Sequence, residues 1–274
     1  MKRILSLILC FIIWVIPLSA IDPAFDLNLY FIDVGQGDAA LIECGGETLL
    51  IDGGGAKASS VLYAFLKDLG IRTLDYIILT HPHEDHAGGL SGALHTARAG
   101  TVYSPVTEYH NDAFRAFVKY LGEQDKAITI PESGDTFRLG SADVRFLSPI
   151  AGMRSVNNQS LIVMVTHNAI RILFTGDAER EAETALLNAG YELSADVLCV
   201  GHHGSDSSTI YPFLKAVMPA YAVISCGAGN LYGHPHENTL SRLWDAGAAV
   251  YRTDLNGHIH ITSNGETLMI EGAR

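Results

Sequence analysis

Positive charge and cysteine are both scarce in this chain. Eighteen Lys and Arg stand against 30 Asp and Glu, for a net charge of −12. That balance excludes a broad basic face, and with it a tight, sequence-independent grip on duplex DNA. The four cysteines (Cys10, Cys44, Cys199 and Cys226) have no close spacing that would mark a disulfide framework, and they read as buried small hydrophobes. No serine elbow of the G-x-S-x-G kind is present. The glycine stretches "GQGD" (35–38) and "DGGG" (52–55) lack the lysine and spacing of a phosphate-cradling loop. Low-complexity runs are absent too. With 48% hydrophobic and 18% charged residues over 274 positions, the chain has the composition of a folded protein with a sizeable core.

The first twenty residues stand apart. Met1-Lys2-Arg3 is a short basic start, "ILSLILCFIIWVIPL" (4–18) is apolar and uncharged, and Ser19-Ala20 offers a small residue for cleavage. The run is shorter than the roughly 20 residues of a spanning helix. It predicts a signal peptide over 1–20, or an uncleaved N-terminal anchor given the bulky Leu18, and in either case export to the periplasm or the exterior. Cys10 lies too early in the run to be the lipid-modified cysteine of such a signal. Cleavage would remove Lys2 and Arg3 and no acid, taking the charge from −12 to −14. It would also leave no stable membrane association.

Beyond residue 26, short apolar runs alternate with helical patterns. Strands are expected at 27–34, 39–44, 48–54 and 74–80, near 100–104, and at 142–148, 159–166, 170–175, 195–200 and 221–226. Helices are expected at 59–70, from about Leu90, and at 111–121, 178–189 and 237–246. The end of the chain predicts a strand at 248–253 and a hairpin turning at Asn264-Gly265. With no linker in view, 27–274 reads as one α/β domain of two similar halves, two sheets with helices outside.

What is abundant is imidazole, and it is concentrated. "LTHPHEDHAGG" (79–89) places His81, His83, Asp85 and His86 in six positions after an apolar strand. Dense imidazole on one loop has little structural use, whereas neutral imidazole with carboxylate suits zinc, manganese or iron. Two histidines at i and i+2 of an extended segment can face one ion. Asp85 and His86 can then face a second, forming a clamp for a nucleophilic water and a leaving oxygen. Such a clamp needs a bridging carboxylate, for which Asp177 after "RILFTG" is the natural candidate. It also needs a further nitrogen, which His202 or His203 after "DVLCVG" can give. All these clusters follow strand-like runs, where the loops of α/β folds gather catalytic groups. Asp38 is placed to orient a ligand histidine from behind.

"HPHEDHAGG" resembles the H-x-H-x-D-H signature of the metallo-β-lactamase superfamily. More narrowly, the chain is similar to the metallo-β-lactamase domain of ComEC-type DNA-uptake proteins and their stand-alone secreted relatives. The resemblance runs through "FIDVGQGDAALIE", "LLIDGGG", "LTHPHEDHAGGL", "NNQSLIVMV", "ILFTGDAE", "DVLCVGHHGS", "YAVISCGAGNLYGHP" and "VYRTDLNGHI", in family order from about residue 29 to 260. The membrane-channel part of those proteins has no counterpart here, which speaks against a DNA transporter.

The resemblance implies a four-layer αββα sandwich. It puts His81 and His83 on a first metal, Asp85 and His86 on a second, and Asp177 between them. For the remaining ligand of the second metal it favours His202, with His203 donating to a substrate oxygen or taking over. The superfamily's further histidine on the first metal is missing from "SVNNQS". Asn158 takes the matching position and would hold that ion more weakly. His234 is expected to line the cleft. Cys199 falls where relatives often have lysine and carries no assigned role.

The expected chemistry is hydrolysis by a water activated between two divalent ions, zinc or manganese, with Asp85, His203 and His234 as catalytic residues. The resemblance points to phosphodiesters, and the acidic charge narrows these to small substrates or single-stranded nucleic acid ends. Two alternatives remain at this stage: hydrolysis of a lactam, lactone or thioester by the same centre, and a non-catalytic, metal-holding accessory protein of DNA uptake or the envelope.

Overall fold

A computed structural model describes residues 25–274. The N-terminal segment over 1–20, with Cys10, lies outside the described residues. Among the described residues no helix is long and apolar enough to cross a membrane.

Fifteen strands form two sheets. The first half supplies β1 (Leu27–Phe31), β2 (Ala40–Cys44), β3 (Glu47–Ile51), β4 (Thr73–Ile78), β5 (Arg98–Tyr103) and β6 (Ile128–Thr129). The second supplies β7 (Thr136–Leu139), β8 (Ala142–Phe146), β9 (Val163–His167), β10 (Ile170–Phe174), β11 (Val197–Cys199), β12 (Tyr221–Ile224) and β13 (Ala249–Arg252). A closing hairpin, β14 (Ile259–Ser263) and β15 (Leu268–Gly272), returns to the first sheet. The orders are β15-β14-β1-β2-β3-β4-β5-β6 and β13-β12-β11-β10-β9-β8-β7. The two halves are therefore not closed units, because β14 pairs antiparallel with β1, Leu27 opposite Ser263 and Phe31 opposite Ile259, across 228 to 236 positions of chain.

Eight helices cover the outer faces: α1 (Ser59–Asp68), α2 (Glu84–Ala87), α3 (Leu90–Thr96), α4 (Asp112–Gly122), α5 (Arg180–Ala189), α6 (Tyr211–Val217), α7 (Glu237–Asp245) and α8 (Thr253–Asn256). Three apolar layers hold the stack together. The middle one joins inward residues of both sheets, among them Leu29, Phe31, Ile42, Val144, Phe146 and Phe174. Phe31 meets Phe174 across it with ring centroids 5.9 Å apart. The other two lie under the helices, around Leu62, Leu90 and Phe117 on one side and Leu186, Phe213 and Leu243 on the other. This is the αββα sandwich the sequence implies. Burial of each such side chain contributes about 1.5–3 kcal/mol, so the inter-sheet layer fixes how the two halves face each other. The loops at one end of the sandwich are thereby held opposite one another.

Candidate metal centre

Those loops enclose a cleft of about 640 Å³, lined by His83, Asp85, Asn157, Asp177, His202, His203 and His234 among others. Glycine permits the close backbone approach that builds its floor. A Cβ on Gly89 would lie 1.9 Å from Gly53 O, and one on Gly37 would lie 2.2 Å from Asp85 O. The stretches "GQGD" and "DGGG" thus press Asp38 and Asp52 against the histidine loop. From the other side, Asn111 caps α4 through Phe114 N (2.7 Å) and donates to Pro82 O (2.8 Å), tying that helix to the loop.

Two sets of donors converge in the cleft, with Asp177 common to both. His81 Nε2 lies 3.0 Å from His83 Nδ1 and 3.5 Å from Asp177 Oδ2. On the other side His86 Nε2 lies 3.2 Å from Asp177 Oδ1, and His203 Nε2 lies 3.6 Å from that same oxygen and 3.3 Å from Asp85 Oδ2. Each set gathers its donors within 4.8 Å, His81/His83/Asp177 in one and His86/Asp177/His203, with Asp38 behind, in the other. Asp177 therefore offers one oxygen to each set, as a bridge requires. His81, His83, Asp85, His86 and Asp177 are brought together around the cleft.

Three expectations are changed by the geometry. His203, not His202, sits in the second set. It is buried, and its Nδ1 faces Asp38 Oδ1 (3.2 Å) and Ser225 O (3.1 Å), so Nε2 is the atom turned to the cleft. His202 is partly exposed on the cleft wall, with Nε2 3.7 Å from Asp177 Oδ2 and Nδ1 3.3 Å from Glu179 Oε1. Both residues adopt left-handed backbone, φ 50° and 54°, which throws two adjacent side chains to different places. Asn158 is turned away from the cleft. Its Oδ1 accepts from Glu179 N (2.9 Å) and Ala182 N (3.3 Å), capping the start of α5. Asn157 lines the cleft instead, with a buried Oδ1 that has no hydrogen-bond partner.

Sequence reasoning missed Asp52, Thr80 and Ser160. Asp52 is buried in left-handed backbone (φ 57°), accepts from Thr80 N (2.7 Å), and lies 2.8 Å from His86 Nδ1. It fixes which nitrogen of His86 faces inward. The hydroxyls of Thr80 (3.2 Å) and Ser160 (3.4 Å) meet His81 Nδ1, and Ser160 Oγ also accepts from Asp177 N (3.1 Å). The signal for Asp52 was the unusual "LLIDGGG", an acid at a strand end before glycines.

The electrostatics fit a cation. Burial opposes charge on His86, yet Asp177 and Asp52 hold its imidazole well above the ordinary range. Burial likewise opposes charge on His203, and Asp177 and Asp38 hold it well above. Burial would raise Asp85 and Asp177, but the neighbouring histidines hold both below the usual carboxylate range. His81 and His83 are held below their ordinary value, chiefly by burial. His234 is pushed down to about 4 by burial and by His203 and His202, and is neutral at physiological pH. His86 Nε2, Asp177 Oδ1, Asn157 Oδ1 and His234 Nδ1 are all buried without a hydrogen-bond partner. Leaving each unsatisfied costs about 1–3 kcal/mol. Shared ligation of metal ions satisfies the first two directly, so the donor set fits divalent ions.

Comparisons with known proteins identify the family and the fold. The Metallo-beta-lactamase superfamily profile matches residues 32–228. The chain is 32% identical over 268 residues to ComE operon protein 3 of Bacillus subtilis, covering 91% of this chain and 34% of that protein. It is 32% identical over 229 residues to Competence protein ComA of Neisseria gonorrhoeae, covering 82% of this chain and 30% of that one. It thus spans about a third of the length of these curated relatives. Among solved structures, the metallo-beta-lactamase fold protein YhfI of Bacillus subtilis is similar at a TM-score of 0.52 and 15% identity, covering 82% of this chain and 95% of that one. With the profile spanning most of the chain and the histidine loop at the centre of the cleft, the chain belongs to the metallo-β-lactamase superfamily.

Proposed function

We propose that this protein is an exported, two-metal phosphodiesterase acting on small phosphodiesters or single-stranded nucleic acid ends. The observation that carries the two-ion reading is Asp177, whose two oxygens serve separate donor sets. In this reading His81, His83 and Asp177 hold one ion, with Asn157 beside it, and Asp85, His86, Asp177 and His203 hold the other. Zinc or manganese, once bound, supplies a water of lowered pKa and neutralises charge developing on the phosphoryl oxygens.

The chain's own groups do the rest. Asp52 and Asp38 fix the inward nitrogens of His86 and His203. His202 and the neutral His234 stand on the cleft wall, placed to hydrogen-bond a substrate oxygen. His203 leaves the donating role because its Nε2 is turned into the second donor set. Among the described residues, no lysine or arginine lines the cleft. One phosphate facing two ions suits it better than a duplex needing many cationic contacts. Support for phosphodiester over lactam comes from the ComEC-type resemblance and the competence-protein relatives.

Protein loaded with zinc or manganese should turn over bis-p-nitrophenyl phosphate and trim labelled single-stranded DNA faster than it opens nitrocefin. Full phosphodiesterase activity in Asp85→Ala would refute the mechanism. A preference for nitrocefin would move the reading to lactam hydrolysis, and no turnover of any of the three would favour the accessory-protein reading. Release of the mature protein into the periplasm or medium tests export.

A further inference from the structure

The end of the sandwich remote from the cleft carries a second group of ligating side chains. Cys44 closes β2, His167 closes β9, and Asp26 immediately precedes β1. Sheet register places them far from the centre: Cys44 lies opposite Leu27, whereas the cleft loops follow Phe31 at the other end of the same strand. Cys44 and His167 are buried and Asp26 is 41% exposed. His167 Nε2 lies 2.9 Å from Asp26 Oδ1, and one donor atom from each of the three residues lies within 4.8 Å of the others.

We propose that Asp26, Cys44 and His167 form a separate zinc site. Sulfur, imidazole nitrogen and carboxylate oxygen are the three donor types that zinc combines, and a three-ligand site leaves a fourth position for water. The exposed side of Asp26 supplies that position and the route of entry. In a tetrahedral site, Zn–S near 2.3 Å and Zn–N or Zn–O near 2.0–2.1 Å put ligand atoms roughly 3.3–3.6 Å apart. The His167–Asp26 separation of 2.9 Å would widen slightly, and any donor pair now as far apart as 4.8 Å would close, with the partly exposed carboxylate of Asp26 the freest of the three to move. Binding releases the Cys44 thiol proton, and any proton on His167 Nε2, to solvent.

Two serines hold the arrangement. Ser141 Oγ lies 3.1 Å from Cys44 Sγ and donates to Asp26 Oδ2 (2.6 Å), and Ser263 Oγ lies 3.0 Å from His167 Nδ1. Nδ1 is thereby occupied and Nε2 is the ligating atom. No lysine or arginine pairs with Asp26 among the described residues; its ion-pair partner is His167. The ion would clamp β2 of the first sheet to β9 of the second, at the start of β1. A hydrogen-bonded network without metal is the competing reading, and it predicts a different spectrum.

The test uses the full chain, reduced and stripped with EDTA, then titrated with cobalt(II). The cleft donors are nitrogen and oxygen only, so a thiolate-to-cobalt charge-transfer band in the near ultraviolet reports this second site alone. The band is expected in the wild type, lost in Cys44→Ser, and retained in Cys10→Ser, Cys199→Ser and Cys226→Ser. Zinc added afterwards should quench it, and wild type should bind one equivalent of zinc more than Cys44→Ser. Retained phosphodiesterase activity and circular dichroism in Cys44→Ser show that loss of the band is not unfolding. Absence of the band in the wild type, or its survival in Cys44→Ser, overturns the proposal.

Discussion

The two donor sets share one aspartate and are otherwise built on different principles. Behind His86 and His203 stand the carboxylates of Asp52 and Asp38, at 2.8 and 3.2 Å. Behind His81 stand the hydroxyls of Thr80 and Ser160, at 3.2 and 3.4 Å, while His83 is half-buried and Asn157 lines the same cleft. The consequence shows in the protonation of the metal-free protein. Carboxylate-backed imidazoles are drawn toward the charged state, and the others are held neutral. Asp177 is the largest influence raising both histidines, with Asp52 and Asp38 adding to it. Under the two-ion reading, an ion on the His86 side would displace those protons and leave the carboxylates to stabilise it, so the carboxylate-backed side is expected to be the tighter.

Under the two-ion reading the difference can be broken most sharply at the shared residue. Asp177→Ala should release both ions and lower phosphodiesterase turnover by at least about 10²–10³-fold, the scale of losing a preorganised electrostatic group. Metal analysis showing one ion kept at wild-type affinity would contradict the shared bridge. Next in size is the histidine pair. His203→Ala should lose the second ion with a fall of about 10²-fold in kcat. His202→Ala should keep both ions and act mainly on KM, and the reverse pattern would restore His202 as ligand.

Asp52→Asn should weaken the second ion by about 10–100-fold and leave the first unchanged, as removal of a hydrogen-bonding partner does elsewhere. Isothermal titration resolves the two ions. Asn157→His should narrow the gap from the other side, tightening the first ion by about 10-fold as imidazole replaces an amide.

The last effect is on stability rather than on metal binding or turnover, and concerns the segment that follows His202 and His203. Glu183 of α5, pushed up to about 7 by burial, accepts from Ile210 N (2.9 Å) and Thr209 N and so anchors residues 209–210. Because folding raises this pKa above its ordinary 4.5, the folded chain keeps a proton that the unfolded chain releases between those values. The contribution is complete below about pH 4.5 and is lost as pH rises toward 7, by up to about 3 kcal/mol. Urea unfolding of Glu183→Gln in EDTA should show a flatter pH dependence over that window than the wild type.

Much of this was legible in the sequence because it is local. The strands from β1 to β5 and the clustered ligands His81 to His86 follow from runs and spacings within a few residues, as does Asp177 at its strand end. What escaped depended on backbone handedness or distant packing. Between His202 and His203 the resemblance favours the first and leaves the second open, because the left-handed φ values that turn His203 into the second donor set are unusual outside glycine and not legible in the sequence. Asn157 and Asn158 exchanged places for a comparable reason, since the short helical turn at Asn157–Gln159 sends one amide to the cleft and the next to the cap of α5. Asp52 acquires its role from a histidine 34 residues later. The short helix α6, carrying a proline in its first turn, and the edge strand β7 were too brief for periodicity to mark.

The origin of the ligands in two sheets has a consequence for biogenesis. His81, His83, Asp85 and His86 leave the first sheet after β4, while Asp177 and His203 follow β10 and β11 of the second. Under the two-ion reading, a chain that has emerged only as far as β9 has four of the six proposed ligands and not the proposed bridge, so it would hold neither ion. On that reading metal capture would come late and report that the two sheets have met. In a cell, ions would be retained by finished molecules and pass over unfinished ones.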